Sequence, residues 1–460
     1  MKNQQQILAT EPIGKLLLKY SVPAIIGMIV NALYNVVDRM FIGNIPKVGV
    51  LAITGVGVTM PIMTIMLAFG MLIALGAIAN ISIKLGQGKK EDAELIIGNA
   101  ITLSILISLL ISFIGILFGD IILKSFGASE STLYYAKSYI YIILGGSVFC
   151  LLSFSLNNTI RGDGNPKLAA IIMIVGCLIN ITLDAILIFV FNMGIQGAAI
   201  ATVISQAVTT IWGFVYYLKG KSNLKLKKEN LKLNKDIVKT IFAIGLAPFA
   251  MQIAASLVQI ISNNALKAYG GDVAIGAMAT IASISMIFLM PVFGINQGAQ
   301  PIIGFNYGAR QYDRANKTFK VSASVACLIM TLGWLIIQLK PEIIVGMFNK
   351  DPKLMDITIN GTKLYLFMLP IIGISITGSN YMQSVGKAKS AMILGLLRQV
   401  ILLIPMIIIL PKFLGLDGIW YAQAISDLLS TIITITVLVK ELKKYKDFKN
   451  DIQSKNELQG

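Results

Sequence analysis

The chain has 460 residues, 56% of them hydrophobic and only 13% charged, with a mean hydropathy of +0.77. A soluble domain carries roughly 25% charged residues, so an ordinary soluble protein is excluded, and at roughly 20 apolar residues per crossing the chain can supply about a dozen membrane spans. The net charge of +17 would point to nucleic acid in a soluble domain, but here Lys and Arg cluster between apolar runs, and the absence of His removes imidazole metal sites, Ser-His-Asp triads and His proton shuttles.

Residues 1–12 are polar and the apolar run after them is too long for a cleaved signal peptide, so it is expected to remain as the first span. Windows at 51–83, 240–266 and 273–309 hold no Asp, Glu, Lys or Arg. Taken along its length, the sequence predicts twelve helices, at 15–43, 51–82, 95–118, 133–157, 167–191, 195–218, 237–266, 274–304, 318–338, 359–381, 388–410 and 416–439. Lys and Arg then fall 28 on the side holding both termini and 9 on the other, with Arg39 and Arg398 inside helices. The positive-inside rule therefore predicts cytoplasmic termini and a multi-pass protein of the cell membrane. Cys150, Cys177 and Cys327 lie in apolar runs without CxxC spacing and read as small buried hydrophobes. No GxxxxGK(S/T) phosphate loop occurs, so neither ATP hydrolysis nor a bound cofactor is expected.

The basic segment 219–236 is the longest internal link. It divides the chain into an N-terminal six-helix bundle (1–218) and a C-terminal one (237–440), followed by a charged tail (441–460). The halves echo each other: Pro23 and Pro248, Gly86 and Gly308, Ala93 and Ala315, Asn158 and Asn380, Gly164 and Gly386, Gly197 and Gly418, Ser205 and Ser426 pair at offsets of 221 to 225. Because each half has an even number of helices, both enter the membrane in the same sense, and their pseudo-symmetry axis runs along the membrane normal. The predicted fold is an all-α polytopic membrane protein, with twelve transmembrane helices as two pseudo-symmetric six-helix bundles around a central cavity. Two bundles that can rock about a cleft make a transporter's layout, working as a monomer; a channel would leave the duplication unexplained.

A carboxylate inside a bilayer costs several kcal/mol and is a functional hypothesis by default. Three lie well inside predicted helices, away from their ends: Asp38, Asp184 and Asp427. Counting from helix ends at ~1.5 Å per residue places Asp38 and Asp184 roughly 8 Å from the outer ends of helices one and five, and Thr202 roughly 12 Å into helix six, in one layer. Asn180 lies one turn from Asp184 on the same face, and Asn31, Asn35 and Asp38 form a similar stripe. Two carboxylates, an amide oxygen and a hydroxyl suit Na⁺, or an acid pair in which one member keeps a proton. Amides and hydroxyls also hold membrane helices together, and the pattern alone leaves that role open. Asp427 counts to the midplane at the level of Arg398, which predicts a structural ion pair. Arg39 points about 100° away from Asp38 and is expected to snorkel to the outer interface. For the substrate, Gln252, Ser256, Gln259 and Asn263 recur along one face of helix seven; with Asn31, Asn35 and Gln206, and with Met286 and Met290 as soft apolar surface, they are the candidate cavity lining.

Several segments carry a family likeness: VNALYNVVDR (30–39), LGQG (85–88), IRGDGNP (160–166), NITLD (180–184) and GAAIAT (197–202), with YGAR (307–310) and GKAKSA (386–391) as second-half echoes. In combination they resemble the multidrug and toxic compound extrusion (MATE) family, nearest its bacterial DinF-like and MepA-like members. The resemblance implies a secondary exporter, not an enzyme, that antiports amphipathic, often cationic drugs against inward Na⁺ or H⁺. It implies the same coupling positions, Asp38, Asn180, Asp184 and Thr202. In the second half the repeat puts Asn263, Leu402, Met406 and Gln423 at those places, and the acids that NorM-like members carry on helices seven and ten are absent from 240–266 and 364–381. Coupling is therefore expected in the first bundle. A flippase for a lipid-linked oligosaccharide, from the same superfamily, is the alternative; its polyanionic substrate calls for several cations in the cavity.

Overall fold

The computed structural model describes residues 4–46, 48–126, 128–219, 222–347 and 352–457, which are helical with no strands. After a short helix, Gln4–Thr10, the spans are α1 (Ile13–Gly43), α2 (Leu51–Gly86), α3 (Lys90–Leu117), α4 (Glu130–Gly145 and Ser147–Gly162), α5 (Pro166–Val190), α6 (Gly194–Leu218), α7 (Lys235–Gly271), α8 (Val273–Gly308), α9 (Tyr312–Leu339), α10 (Leu354–Tyr365 and Leu369–Ser384), α11 (Ala388–Leu414) and α12 (Leu416–Glu457). Ten helices are each long and apolar enough to cross a membrane, and α4 and α10 complete twelve spans as pairs bent by 55° and 54°. The bend in α4 falls at Gly145–Gly146 and that in α10 just ahead of Pro370, where a missing N–H and ring clash break the ladder.

The duplication is visible in the backbone. Gly164 and Gly386 both adopt left-handed φ (96° and 79°), as do Gly194 and Gly415 (56° and 60°). A π-helical turn interrupts α5 at Ile186–Val190 and α11 at Leu397–Leu403. Asn157 donates to the carbonyl of Ala169, and Ser379, its repeat mate, donates to that of Ala391. We refer to α1–α6 as the N-lobe and α7–α12 as the C-lobe.

The lobes meet in the half of the molecule that carries the termini, through backbones brought close by glycine. A Cβ on Gly245 of α7 would stand 1.8 Å from the Leu72 carbonyl oxygen of α2, and one on Gly308 of α8 would stand 2.1 Å from that of Ile83. On the α1 side, Gly298 admits Ser21, whose hydroxyl donates to the Ile295 carbonyl. Only glycine permits such approaches. The short N-terminal helix is tied to the C-lobe here, where Arg314 donates to the carbonyls of Leu8 and Glu11.

The segment read as a basic linker is strapped onto the N-lobe. Asn99 of α3 accepts from the Asn234 N–H and donates to the carbonyls of Asn230 and Lys232, while Glu94 accepts from the Lys225 N–H and pairs with Lys227 at 3.4 Å. Asp163, just past α4, accepts from Tyr216, Ser222 and the Asn223 N–H. Burial pushes its carboxyl up to about 6 against those donors.

Gly308→Leu is expected to hold the lobes apart on the terminal side. Double electron–electron resonance between labels at exposed Glu91 and Lys320 should then read longer distances than in the native chain, whereas Gly57→Ala, in open space, should leave the distribution in place. Identical distributions for Gly308→Leu and the native chain would contradict this account of the contact.

Candidate functional site: an acid pair on a methionine-rich cavity

A cavity of about 540 Å³ lies inside the N-lobe and not between equal contributions of the two lobes. From the C-lobe only Met290 and Gln297 reach its wall. Of the candidate lining residues, Asn31, Asn35, Gln206 and Met290 are on the wall. Gln252, Gln259, Asn263 and Met286 are not, and Met286 is 49% exposed. The polar stripe on α7 has the period of one helix face, but period alone does not say which way that face turns.

At one end of the cavity α1, α4, α5 and α6 bring Asp38, Tyr139, Asn180, Asp184 and Thr202 together. Asp38 and Asn180 are on the wall; Asp184 is fully buried just behind it. The two carboxyl groups lie close enough to interact directly, and two facing carboxylates repel unless a proton or a cation is shared between them. In the amide orientation that satisfies its neighbours, Asn180 donates to Asp184 Oδ2 at 3.0 Å and accepts from the Thr202 N–H at 3.2 Å. The Thr202 hydroxyl lies 3.3 Å from the same amide and is in hydrogen-bond contact with Tyr139. Asp38 Oδ1 and Asp184 Oδ1 are buried without any partner. Lone pairs of that kind are costly to bury and are available to a cation. Beyond the pair, Phe41 of α1 meets Phe189 of α5 edge-on at 5.8 Å, and the π-helical turn of α5 begins two residues after Asp184.

The wall between is soft. Met28, Met60, Met63, Met66 and Met173 line it with Tyr34 and Phe154. Asn35 donates to the Asn31 carbonyl at 2.7 Å, and Gln206 and Asn31 contact the thiols of Cys150 and Cys177. Tyr139 and these N-lobe methionines were not among the sequence candidates, since any Met in an apolar helix reads first as packing. Arg39 also lines the cavity, is exposed, and donates to Met60 Sδ at 3.8 Å. Arg161 is the larger correction. Placed by sequence in the connection after a helix ending at 157, it lies in α4, which continues to Gly162, and is 5% exposed on the cavity wall.

In the C-lobe, Arg398 and Asp427 form an ion pair at 3.3 Å, with Gln423 donating to the second Asp427 oxygen at 2.9 Å. The pair joins α11 to α12 and lies away from the cavity wall.

The family model described as MatE matches residues 23–186 and 248–409, one match in each lobe. The chain is 26% identical over 439 residues to the multidrug export protein MepA of Staphylococcus haemolyticus, covering 95% of this chain and 96% of that protein. MepA of Staphylococcus aureus is 25% identical over 445 residues, with the same coverage. A solved multidrug resistance MATE family transporter of the MOP superfamily, in an outward-facing conformation, superposes with a TM-score of 0.90 at 22% identity, over 97% of this chain and 99% of that one. A MOP superfamily transporter from Pyrococcus furiosus gives 0.89 at 22% identity, over the same shares.

Removing one member of a buried pair strands the other charge, at a cost on the order of 3 kcal/mol. Asp427→Ala or Arg398→Ala should lower the yield of monodisperse protein from membranes more than the charge-swapped double variant does. The opposite order in size-exclusion profiles would contradict a structural role for the pair.

Proposed function

Since the chain belongs to the MatE family, we propose that it is a secondary multidrug exporter, in which amphipathic drugs leave through the N-lobe cavity in exchange for inward Na⁺ or H⁺. The observation that carries the reading is the Asp38–Asp184 pair, two buried carboxyl groups in reach of each other, each with an oxygen that accepts from no N–H or O–H of the protein. A pair of this kind has two stable loads, one proton or one metal cation, and cannot release its load without leaving two facing carboxylates in a dry site. Cation loading and drug loading therefore bias the same bundle, and linkage makes each weaken or strengthen the other by the same factor.

With the termini cytoplasmic, the glycine-lined lobe contact closes the cytoplasmic half, and the wall residues Asn31, Asn35 and Arg39, which are exposed, face an outward opening. In this state a cation enters the acid pair from outside. Its arrival neutralises the layer between α1, α5 and α6 and favours release of the drug. Each net positive charge moved inward through about 100 mV yields ~2.3 kcal/mol, roughly a fifty-fold accumulation. The cavity volume of about 540 Å³ falls in the range of roughly 300–1,000 Å³ for drug-sized ligands. That size favours a drug over a lipid-linked oligosaccharide.

Ethidium efflux from proteoliposomes, with Na⁺ and pH gradients imposed separately, tests this. Wild-type protein should respond to one gradient, and Asp38→Asn or Asp184→Asn should lose at least about 90% of the gradient-driven rate while remaining monodisperse. Native efflux in both variants would remove the coupling site.

A further inference from the structure

Arg161 takes no part in the cycle above, yet it is a buried charge on the substrate cavity. Its acceptors are neutral: the side-chain oxygen of Asn157 at 2.6 Å and that of Gln297. Asp163, two residues on, is turned to Tyr216, Ser222 and the Asn223 backbone. Among the described residues the ion pairs are Lys84–Asp92, Lys137–Asp120, Lys227–Glu94, Lys387–Glu441 and Arg398–Asp427, and Arg161 is in none of them. Amide oxygens return only part of the hydration that a guanidinium loses on burial; a carboxylate returns more. The planar fork also keeps N–H donors beyond the two in use, in the geometry that a carboxylate accepts bidentately.

Its place separates this charge from the acid pair. Asn157 donates to the Ala169 carbonyl at 2.7 Å, which sets the turn before Arg161 level with Ala169 of α5. Asp184 is fifteen residues further along α5, roughly 22 Å at the helical rise. The cavity thus holds the acid pair with exposed Arg39 beside it at one end and the buried guanidinium of Arg161 at the other, with Met63, Phe154 and Met173 among the apolar residues of its wall. The repeat places Gln383 opposite Arg161 in the C-lobe, so the cationic pole belongs to the N-lobe alone.

We infer that Arg161, with Asn157 and Gln297, forms an anion-recognition subsite of the cavity, and that it selects aromatic amphiphiles bearing a carboxylate beside their cationic group. The inference rests on the exporter reading and names a substrate class for it. A zwitterion carries no net charge, so its exchange for one cation moves a full charge inward and draws on the membrane potential; exchange of a cationic drug for one cation does not. Gln297 is a C-lobe residue, so a carboxylate that takes over Arg161 also loosens a lobe contact on the terminal side.

The test is fluorescence anisotropy of the purified full-length protein with two dyes sharing one ring system, a rhodamine with a free carboxylate and its methyl ester. Wild type should bind both. Arg161→Gln should raise Kd for the carboxylate dye about tenfold more than for the ester, and Arg161→Lys should restore part of the difference. Gln297→Glu supplies an internal carboxylate while keeping the guanidinium, and should give the same selective loss; it decides the matter if Arg161→Gln does not fold. Equal losses for the two dyes in these variants would overturn the subsite. Wild-type binding of the ester but not the carboxylate dye would also overturn it and leave the exporter reading standing, whereas binding of neither dye would overturn both.

Discussion

Two carboxyl groups touching inside a membrane-spanning bundle are the constraint around which the N-lobe is arranged. A charge in that environment costs several kcal/mol unless it is paired, hydrogen-bonded or neutralised. No Lys or Arg is paired with Asp38 or Asp184 among the described residues. The compensation comes from Asn180, with Tyr139 and Thr202 completing the polar cluster around the pair. One oxygen on each carboxyl group is left without a donor, and on the exporter reading proposed above a cation takes that place.

The two ends of the molecule divide the labour. At the terminal end, glycines at 245, 298 and 308 let backbones of opposite lobes touch, and the strapped segment beyond α6 and the short helix before α1 pack over the same region. At the other end the acid pair sits beneath the Phe41–Phe189 contact. The C-lobe repeats the backbone devices of the N-lobe, including bent spans, π-helical turns and left-handed glycines. It does not repeat their chemistry: Met406 stands where the repeat would put Asp184, and an ion pair with no open oxygen joins α11 to α12.

Much of this was legible in the sequence, for physical reasons that also mark where it stopped. Twenty-residue apolar windows and the Lys/Arg asymmetry are long-range signals, so the number and order of spans could be read; a membrane helix also makes depth countable, which put Asp38, Asp184 and Thr202 in one layer. Arg161 could not be placed, because the polar run NNTIRGDGNP looks like a connection, when the burial that permits a helix there comes from α2, α3 and α6 of the same lobe, with Gln297 of α8 added on Arg161. The glycine in that run was a signal: Gly164, with left-handed φ, follows a helix that ends at Gly162, five residues beyond the expected 157. The stripe of Gln252, Gln259 and Asn263 lies off the wall of this cavity, because helical period identifies a face and not its neighbour. The basic segment 219–236 reads as a tether by composition, and its anchors, Glu94 and Asn99, are polar residues whose partners lie more than a hundred positions away.

The central claim is that cation and drug act on one bundle through the acid pair, and equilibrium binding tests it without transport. Ethidium affinity of the purified protein should be measured across pH at fixed Na⁺ and across Na⁺ at fixed pH, in wild type and in Asp184→Asn. The account predicts that the apparent Kd of the wild type moves with one of these cations and that the dependence vanishes in the variant. A Kd that stays flat along both axes, or a dependence that survives in Asp184→Asn, would contradict it.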